Sequence, residues 1–256
     1  MSDVVLLVDN SDLSRIIYHA LNAEFHIKAV VREARIERFT LFSKRVKRLG
    51  FHAAVGQAEF ALFVMPWLKL ESRRRRREIM IEYGMDDSPL PARRVVDVPS
   101  VNCNESMILL QNLRPKVILV NGTRILEERL LDATKKAVLL NTHVGITPRY
   151  RGVHGGYWAL ASGDPDHCGV TVHKIDKGID TGDIVAQAVI RPKRSDNFST
   201  YPLLQIANAI PILKHAIHDA LIGRLETVQA QDEKSKLWSH PTALQYLKMR
   251  SSLGVR

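Results

Sequence analysis

Four short apolar runs decide most of what this chain can fold into: VVLLV at Val4–Val8, AVV within HIKAVV, VILV within KVILV, and AVLL just before Asn141. Continuous apolar runs of this length, without polar alternation, read as strands buried on both faces, the condition that parallel sheets impose. After the first run, Leu13, Ile16, Ile17 and Leu21 fall on one helical face, with Ser11 or Asp12 placed to cap it. Strand, helix and strand in that order open a βαβ unit. The fold class is therefore α/β: a Rossmann-like, open, mostly parallel sheet with helices on both faces.

The remaining boundaries follow from composition. The 256 residues suit a catalytic domain over 1–232, carrying a mostly helical, basic insertion over 34–94, and a basic C-terminal tail over 233–256. Two cysteines, Cys103 and Cys168, without paired spacing argue for a reducing compartment and against a metal cluster. The opening MSDVVLLVDN has no basic region and reads as a first strand, not a signal peptide. The longest apolar stretch, Ala58 to Leu70, is interrupted by Glu59 and Pro66 and is too short to span a bilayer. A cytoplasmic protein is expected.

A net charge of +10 favours anionic partners, and the excess is concentrated in Lys44–Arg48 and the unbroken run Arg73–Arg77. Phe39, Phe42, Val46 and Leu49 at helical spacing, with Arg38, Lys44, Arg45 and Arg48 elsewhere on the cylinder, predict an amphipathic helix ending at Gly50. A mostly apolar helix through Ala58–Leu70 follows, and Asp86 to Arg94 closes the insertion as a loop. Three readings stand for this arm: packing on the core or on a second subunit of a homodimer with solvated charges, contact with an anionic membrane surface, or contact with a polyanionic acceptor. No aromatic-interleaved platform for nucleic acid is present.

Past the insertion, RVVDV, KVILV and AVLLN read as strands, and SMILLQNL and RILEERLLDA as helices. VHGGYWALASG continues as a helix in which Gly155 and Gly156 permit close approach to another backbone. GVTVHKI and IVAQAVI are strands around a GIDTGD loop, and Tyr201–Ile222 is a long helix interrupted at Pro211.

Candidate chemistry gathers between Asn141 and Ile184. Asn141 and His143, two apart at a strand end, leave it on one face, where open α/β sheets place their active sites. Gly145, Pro148, Gly152, Gly155 and Gly156 supply turns, and Asp180 centres the tight loop that follows the next strand. Taken singly, Asn141 ends a strand, His143 is a satisfied core histidine and Asp180 shapes a turn. Together they place an amide, an imidazole and a carboxylate around one reacting centre.

N-x-H, a nearby Pro, an aromatic-Arg-Gly-x-His segment, G-x-T-V-H and then G-I-D-T-G resemble the folate-dependent formyltransferases. The resemblance is loose over Ser2–Val31 and close from Val95 to about Arg191. It implies that Asn141, His143 and Asp180 move a formyl group from 10-formyltetrahydrofolate to an amine, with no metal. The Asn141 amide and a protonated His143 would stabilise the reacting oxygen, and Asp180 would hold the imidazolium and help move the amine's proton. NGTRILEERLL is similar to the G-x-x-R-I-L element of the glycinamide ribonucleotide branch. This implies a pterin pocket at Arg124, Ile125 and Leu126, closed by Gly178, Ile179 and Gly182 and contacted through backbone groups. In that branch a Gly-Ser-Asn-Leu turn binds the acceptor phosphate. Here the turn is Asn10, Ser11, Asp12 and Leu13, with Asp9 before it, so Ser11 and Leu13 match while two carboxylates depart from the pattern. Arg151 and His154 are acceptor-side candidates, and His173 is a core or supporting residue.

The acceptor implied is a small phosphorylated amine of the glycinamide ribonucleotide type. Tyr150-Arg151-Gly152 and Tyr157-Trp158 fit the branch acting on nucleotide-linked amino sugars equally well. A non-catalytic protein on the same fold, binding a polyanion or membrane surface through its arginines, is the alternative of another class. The oligonucleotide-binding-like second domain of methionyl-tRNA formyltransferases has no room in this length.

Overall fold

Parallel strands built from the apolar runs form the centre of the computed structural model, which describes residues 3–230 and 234–256. They are β1 (Val4–Val8), β2 (Ile27–Glu33), β3 (Val95–Val98), β4 (Val117–Asn121) and β5 (Val138–His143). The short β6 (Tyr150–Gly152) leaves the sheet, and β7 (Gly169–Lys174) and β8 (Ile184–Val189) return to extend it antiparallel. The order is β3-β2-β1-β4-β5-β7-β8. β6 pairs instead with β9 (Lys236–Trp238).

Helix α1 (Asp12–Asn22) follows β1, capped by the Ser11 hydroxyl, which accepts from the Ser14 N–H. The insertion holds α2 (Arg38–Leu49), α3 (Phe51–Glu59), α4 (Met65–Glu71) and α5 (Arg73–Glu82). Then come α6 (Asn104–Leu113), α7 (Glu128–Ala133), α8 (Gly155–Ala161), α9 (Tyr201–Leu221) and α10 (Ala243–Leu253). Because strand side chains alternate, Val4, Leu6 and Val8 pack with Ile16, Ile17 and Leu21 of α1 and Leu213 and Ile217 of α9, while Val5 and Leu7 pack with Leu110 of α6 and Leu130 of α7. Both faces of the sheet are covered, as a parallel sheet requires.

The insertion is docked on the first of these faces. Phe60, Val64, Leu68 and Ile79 join that core, and Phe60 meets Phe198 edge to face at 4.9 Å between ring centres. The arginine run is itself helix α5. Arg75 is buried and donates to Asp196 at 2.8 Å, Arg76 pairs with Asp12 and Asp87 at 2.9 Å each, and Arg74 pairs with Glu78. Arg75 and Arg76 thus tie the insertion to the sheet domain, whereas the exposed Arg74–Glu78 pair lies within α5.

Three local expectations change. RILEERLLDA is helical only from Glu128; its first residues are extended because their backbone is taken by side chains, Arg124 N–H donating to Glu33, Glu127 N–H to the Asn102 amide oxygen, and the Ile125 carbonyl accepting from Asn102. Helix α9 runs unbroken through Pro211. A proline inside a helix costs about 3 kcal/mol, and burial of Leu203, Leu204, Ile206, Leu213 and Ile217 on both sides of it offsets that loss. The stretch read as a basic tail ends in α10, whose Tyr246 is fully buried among Phe60, Tyr157 and Phe198, and whose Arg250 pairs with Glu71. The division between 232 and 233, like Ser2, lies outside the described residues. Among the described residues no helix is long and apolar enough to cross a membrane.

Candidate active site

Strand β5 ends at the carboxyl edge of the parallel sheet and delivers Asn141 and His143 there. Its antiparallel partner β7 is registered so that Asn141 stands opposite His173 and His143 opposite Thr171. Cross-strand neighbours share one face of a sheet, which brings the His173 ring to the Asn141 amide. The third component comes from the loop after β7. Asp176 accepts from the Gly178 N–H and the Thr181 hydroxyl, and the turn carries Asp180 in a left-handed conformation with φ +52°. Gly182 is obligatory, since a Cβ there would lie 1.8 Å from the Lys174 carbonyl oxygen.

The Asp180 carboxylate is the hub. One oxygen lies 3.4 Å from His143 Nδ1 and accepts from the Gly152 N–H at 2.9 Å; the other lies 3.6 Å from His173 Nε2 and 3.4 Å from the Asn141 amide nitrogen. Hydrogen-bond partners fix both imidazoles. His143 Nε2 donates to the Tyr150 carbonyl at 2.8 Å, leaving Nδ1 toward Asp180. His173 Nδ1 donates to the Lys174 carbonyl at 2.7 Å, so its Nε2 accepts from the Asn141 amide at 3.1 Å.

Burial pushes the Asp180 carboxyl up, but the His143 and His173 rings and the Gly152 N–H outweigh it and hold the group at about 2. His143 moves the other way. Burial pulls it below its ordinary value, against the opposing pull of Asp180 and the Tyr150 carbonyl. The resting pair at neutral pH is therefore an ionised Asp180 and a neutral His143.

Two joined cavities open onto this cluster. The smaller, about 110 Å³, is lined by Val120, Leu126, Ile175, Asn141, His173 and Asp180, with the extended backbone from Gly122 to Ile125 and the loop from Gly178 to Ile179. The larger, about 910 Å³, shares Gly122–Ile125, Ile179 and Asp180 with it and runs out past Asp9, helix α2 and Trp238. His143 is only 5 % exposed and lines neither. His173 lines the first.

The extended loop at Arg124 owes its position to Glu33 at the end of β2. This buried carboxylate accepts from the Val101 and Arg124 N–H groups and pairs with the Arg124 guanidinium, which also donates to the Pro99 and Ala34 carbonyls. Arg124 thus meets the cavity through its backbone while its side chain ties three loops together. Glu33 and Asn102 were not singled out in the sequence; a lone acid at a strand end is the only local signal of the first.

The acceptor-side candidates scatter. Ser11 donates to Asp9 at 2.6 Å, Ser14 donates to the same oxygen, and Asp12 is held by Arg76. Asn10 is exposed and its carbonyl accepts from Arg35. Arg151 donates to the Ile179 carbonyl, bracing the Asp180 loop. His154 sits behind His240, their ring nitrogens 2.9 Å apart, against the Phe198 ring, and burial drives it well below its ordinary pKa. His240, not His154, reaches the larger cleft. Among the described residues no group of three or more His, Cys, Asp or Glu side chains is placed to hold a metal ion.

A mostly parallel seven-stranded sheet, with N-x-H at the end of its fifth strand and a loop aspartate facing it, defines a Rossmann-like formyltransferase fold. Residues 93–202 match the formyl transferase family model. Over those residues the chain is similar to that family. It is 33 % identical over 93 residues to the methionyl-tRNA formyltransferase of Finegoldia magna, covering 36 % of this chain and 29 % of that one. Across the curated relatives the matched stretch spans 24 % to 46 % of their length. Among solved structures, the N-formyltransferase of Helicobacter canadensis, in complex with folinic acid and dTDP-3-aminofucose, superposes with a TM-score of 0.56 at 15 % identity over 93 % of this chain and 71 % of its own. The phosphoribosylglycinamide formyltransferase of Anaplasma phagocytophilum gives 0.56 at 16 % over 91 % and 95 %.

Proposed function

We propose that the protein transfers a formyl group from 10-formyltetrahydrofolate to the amine of a small phosphorylated acceptor. The observation that carries this reading is the meeting of Asn141, His173 and Asp180 on the wall of the smaller cavity, with Asp180 also facing the larger one and His143 behind them. The smaller cavity suits a flat ring with a polar edge: Val120, Leu126 and Ile175 are apolar, and Gly122–Ile125 and Gly178–Ile179 present backbone donors and acceptors. Gly182, expected from the sequence to close this pocket, does not line it; it packs against the Lys174 carbonyl and the His173 ring, where no side chain fits. When bound in the cavity, the folate supplies the formyl carbon.

The chain's own residues then handle charge and protons. The Asn141 amide keeps its 3.1 Å bond to His173 and turns its second N–H, now in a weak 3.4 Å contact with Asp180, to the oxygen on which negative charge develops. Asp180 sits at the cavity surface and takes up the positive charge of the attacking amine. His143 Nδ1 receives the amine's proton through Asp180, and the resulting imidazolium lies 3.4 Å from the carboxylate that stabilises it; the proton returns by the same route to the folate nitrogen as its bond to the formyl carbon breaks, which leaves tetrahydrofolate and a neutral His143. His143 is thus a positioning and proton-holding residue rather than one that touches substrate.

The turn at Asn10–Asp12 disfavours a glycinamide ribonucleotide phosphate, because the Asp9 carboxylate already occupies the Ser11 and Ser14 hydroxyls. The 910 Å³ cleft suits a nucleotide-linked amino sugar better. A methionylated tRNA is the second reading, favoured by the names of the sequence relatives. Tetrahydrofolate release in the presence of each of these acceptors discriminates among them: the amino sugar alone is expected to drive turnover. Turnover with glycinamide ribonucleotide or methionyl-tRNA and none with the sugar refutes the preferred acceptor.

A further inference from the structure

Helix α2 stands over the larger cleft with an unusual face. Leu41, Lys44, Arg45 and Arg48, spaced three and four apart, line the cleft together, so one stripe of the helix points inward. No residue of α2 is buried, and its cleft-facing stripe is cationic rather than apolar. Like charges at this spacing repel by a few tenths of a kcal/mol per pair. Elsewhere the chain neutralises its buried or crowded arginines: Arg75 with Asp196, Arg76 with Asp12 and Asp87, Arg124 with Glu33, Arg250 with Glu71. Lys44, Arg45 and Arg48 have no carboxylate partner among the described residues.

The strain on Arg45 has a visible cause. Burial lowers its guanidinium pKa, and Arg48 lowers it further. The same two cations, after burial, hold His240 on the adjoining wall down at about 4. The acids of the cleft do not relieve this. Glu33 is consumed by Arg124 and two N–H groups, Asp9 by Ser11 and Ser14, and Asp180 by the Gly152 N–H and the Asn141 amide.

We propose that Lys44, Arg45 and Arg48 form the subsite for the acceptor's phosphates, taking the place of the α1 amino terminus that Asp9 has closed. This rests on the small-acceptor reading given above. The cleft is thereby divided by charge: Asp180 faces the amine to be formylated, and the insertion helix faces the anion. Two arginines and a lysine across one and a quarter turns suit a diphosphate better than a single phosphate, since guanidinium forks bind paired phosphoryl oxygens bidentately. The insertion is then an acceptor-reading element grafted onto the catalytic sheet.

Direct binding to the full chain, without folate, tests this apart from catalysis. Calorimetric titrations use inorganic pyrophosphate, UDP, ribose 5-phosphate, a short RNA hairpin and triglutamyl 5-formyltetrahydrofolate. The wild type is expected to bind pyrophosphate and UDP, with affinity falling as salt rises. Arg45→Gln with Arg48→Gln is expected to lose at least about tenfold for both, and Arg45→Lys with Arg48→Lys to lose less. Ribose 5-phosphate binding as tightly as UDP keeps the phosphate subsite and assigns it to a terminal monophosphate. Arg77→Gln, exposed on α5, controls for bulk charge, and melting curves control for folding. Equal affinity in the wild type and the Gln pair overturns the subsite, as does a loss confined to the folate tail or to the RNA. Tetrahydrofolate release with a nucleotide-linked amino sugar is measured in parallel. Its absence alongside arginine-dependent pyrophosphate binding counts against the proposed reaction and leaves the subsite standing.

Discussion

His173 Nε2 accepts a hydrogen bond from the Asn141 amide at 3.1 Å, across the one antiparallel junction that β5 makes with β7. The bond holds the amide with its nitrogen toward Asp180, and the Lys174 carbonyl in turn fixes the His173 ring. His173→Ala should therefore free Asn141 to flip and lower kcat by about 10- to 100-fold, whereas His173→Gln, which keeps an acceptor, should recover part of the loss. Steady-state kinetics on both variants check this; equal loss in both would show that the ring matters for packing alone.

In the proposed reaction His143 holds a proton while remaining neutral at rest. Its pKa is lowered, so the unfolded chain takes up this proton more readily than the folded one and stability falls as pH drops below about 6.5. Asp180 adds a second acid-labile contribution of about 2 kcal/mol, fully present above about pH 4 and lost as pH falls toward about 2. Denaturant melts across pH should show both phases; His143→Gln should shrink the first, which the buried His154 and His240 share, and weaken the second, because His143 is the largest group holding Asp180 down. The acid limb of kcat/KM should lie below pH 6.5 in the wild type and shift or vanish in His143→Gln. An unchanged limb in that variant contradicts the role assigned to His143.

Glu33 joins three loops around the smaller cavity. Glu33→Gln keeps one acceptor oxygen and loses the ion pair with Arg124, so it should destabilise the fold by about 1–3 kcal/mol and raise KM for the folate more than it lowers kcat. Thermal denaturation and a KM-against-kcat comparison test this. A change in kcat alone would place Glu33 outside the folate wall.

The arginine run separates into buried and exposed members. Arg75→Met should cost about 3–5 kcal/mol, because Asp196 is 1 % exposed and would lose its counter-ion. Arg77→Gln should barely move the melting temperature. Matching effects of the two substitutions would contradict the docking of α5 seen here.

These contrasts mark what can be read from residue order. The apolar runs gave the parallel sheet, and the N-x-H and G-I-D-T-G spacings located Asn141, His143 and Asp180, which lie together in space. The alliance of Asn141 with His173 depends on strand register between segments about thirty residues apart, which local pattern does not encode. Arg124–Glu127 has good helical propensity that Glu33 and Asn102 override from distant segments. Helix α2 was legible as a helix, but the direction its cations face is set by the docking of Phe60, Leu68 and Ile79 on the core, a tertiary fact. The burial of Arg75 inside a run of five arginines has the same origin.

The most direct measurement is tetrahydrofolate release by the wild type and by Asp180→Asn, with 10-formyltetrahydrofolate and a nucleotide-linked amino sugar. The carboxylate that joins both histidines, Asn141 and the two cavities is expected to be indispensable, so the variant should bind folate yet turn over about 10²–10⁴-fold more slowly. Turnover at the wild-type rate with Asn at position 180 would contradict the account.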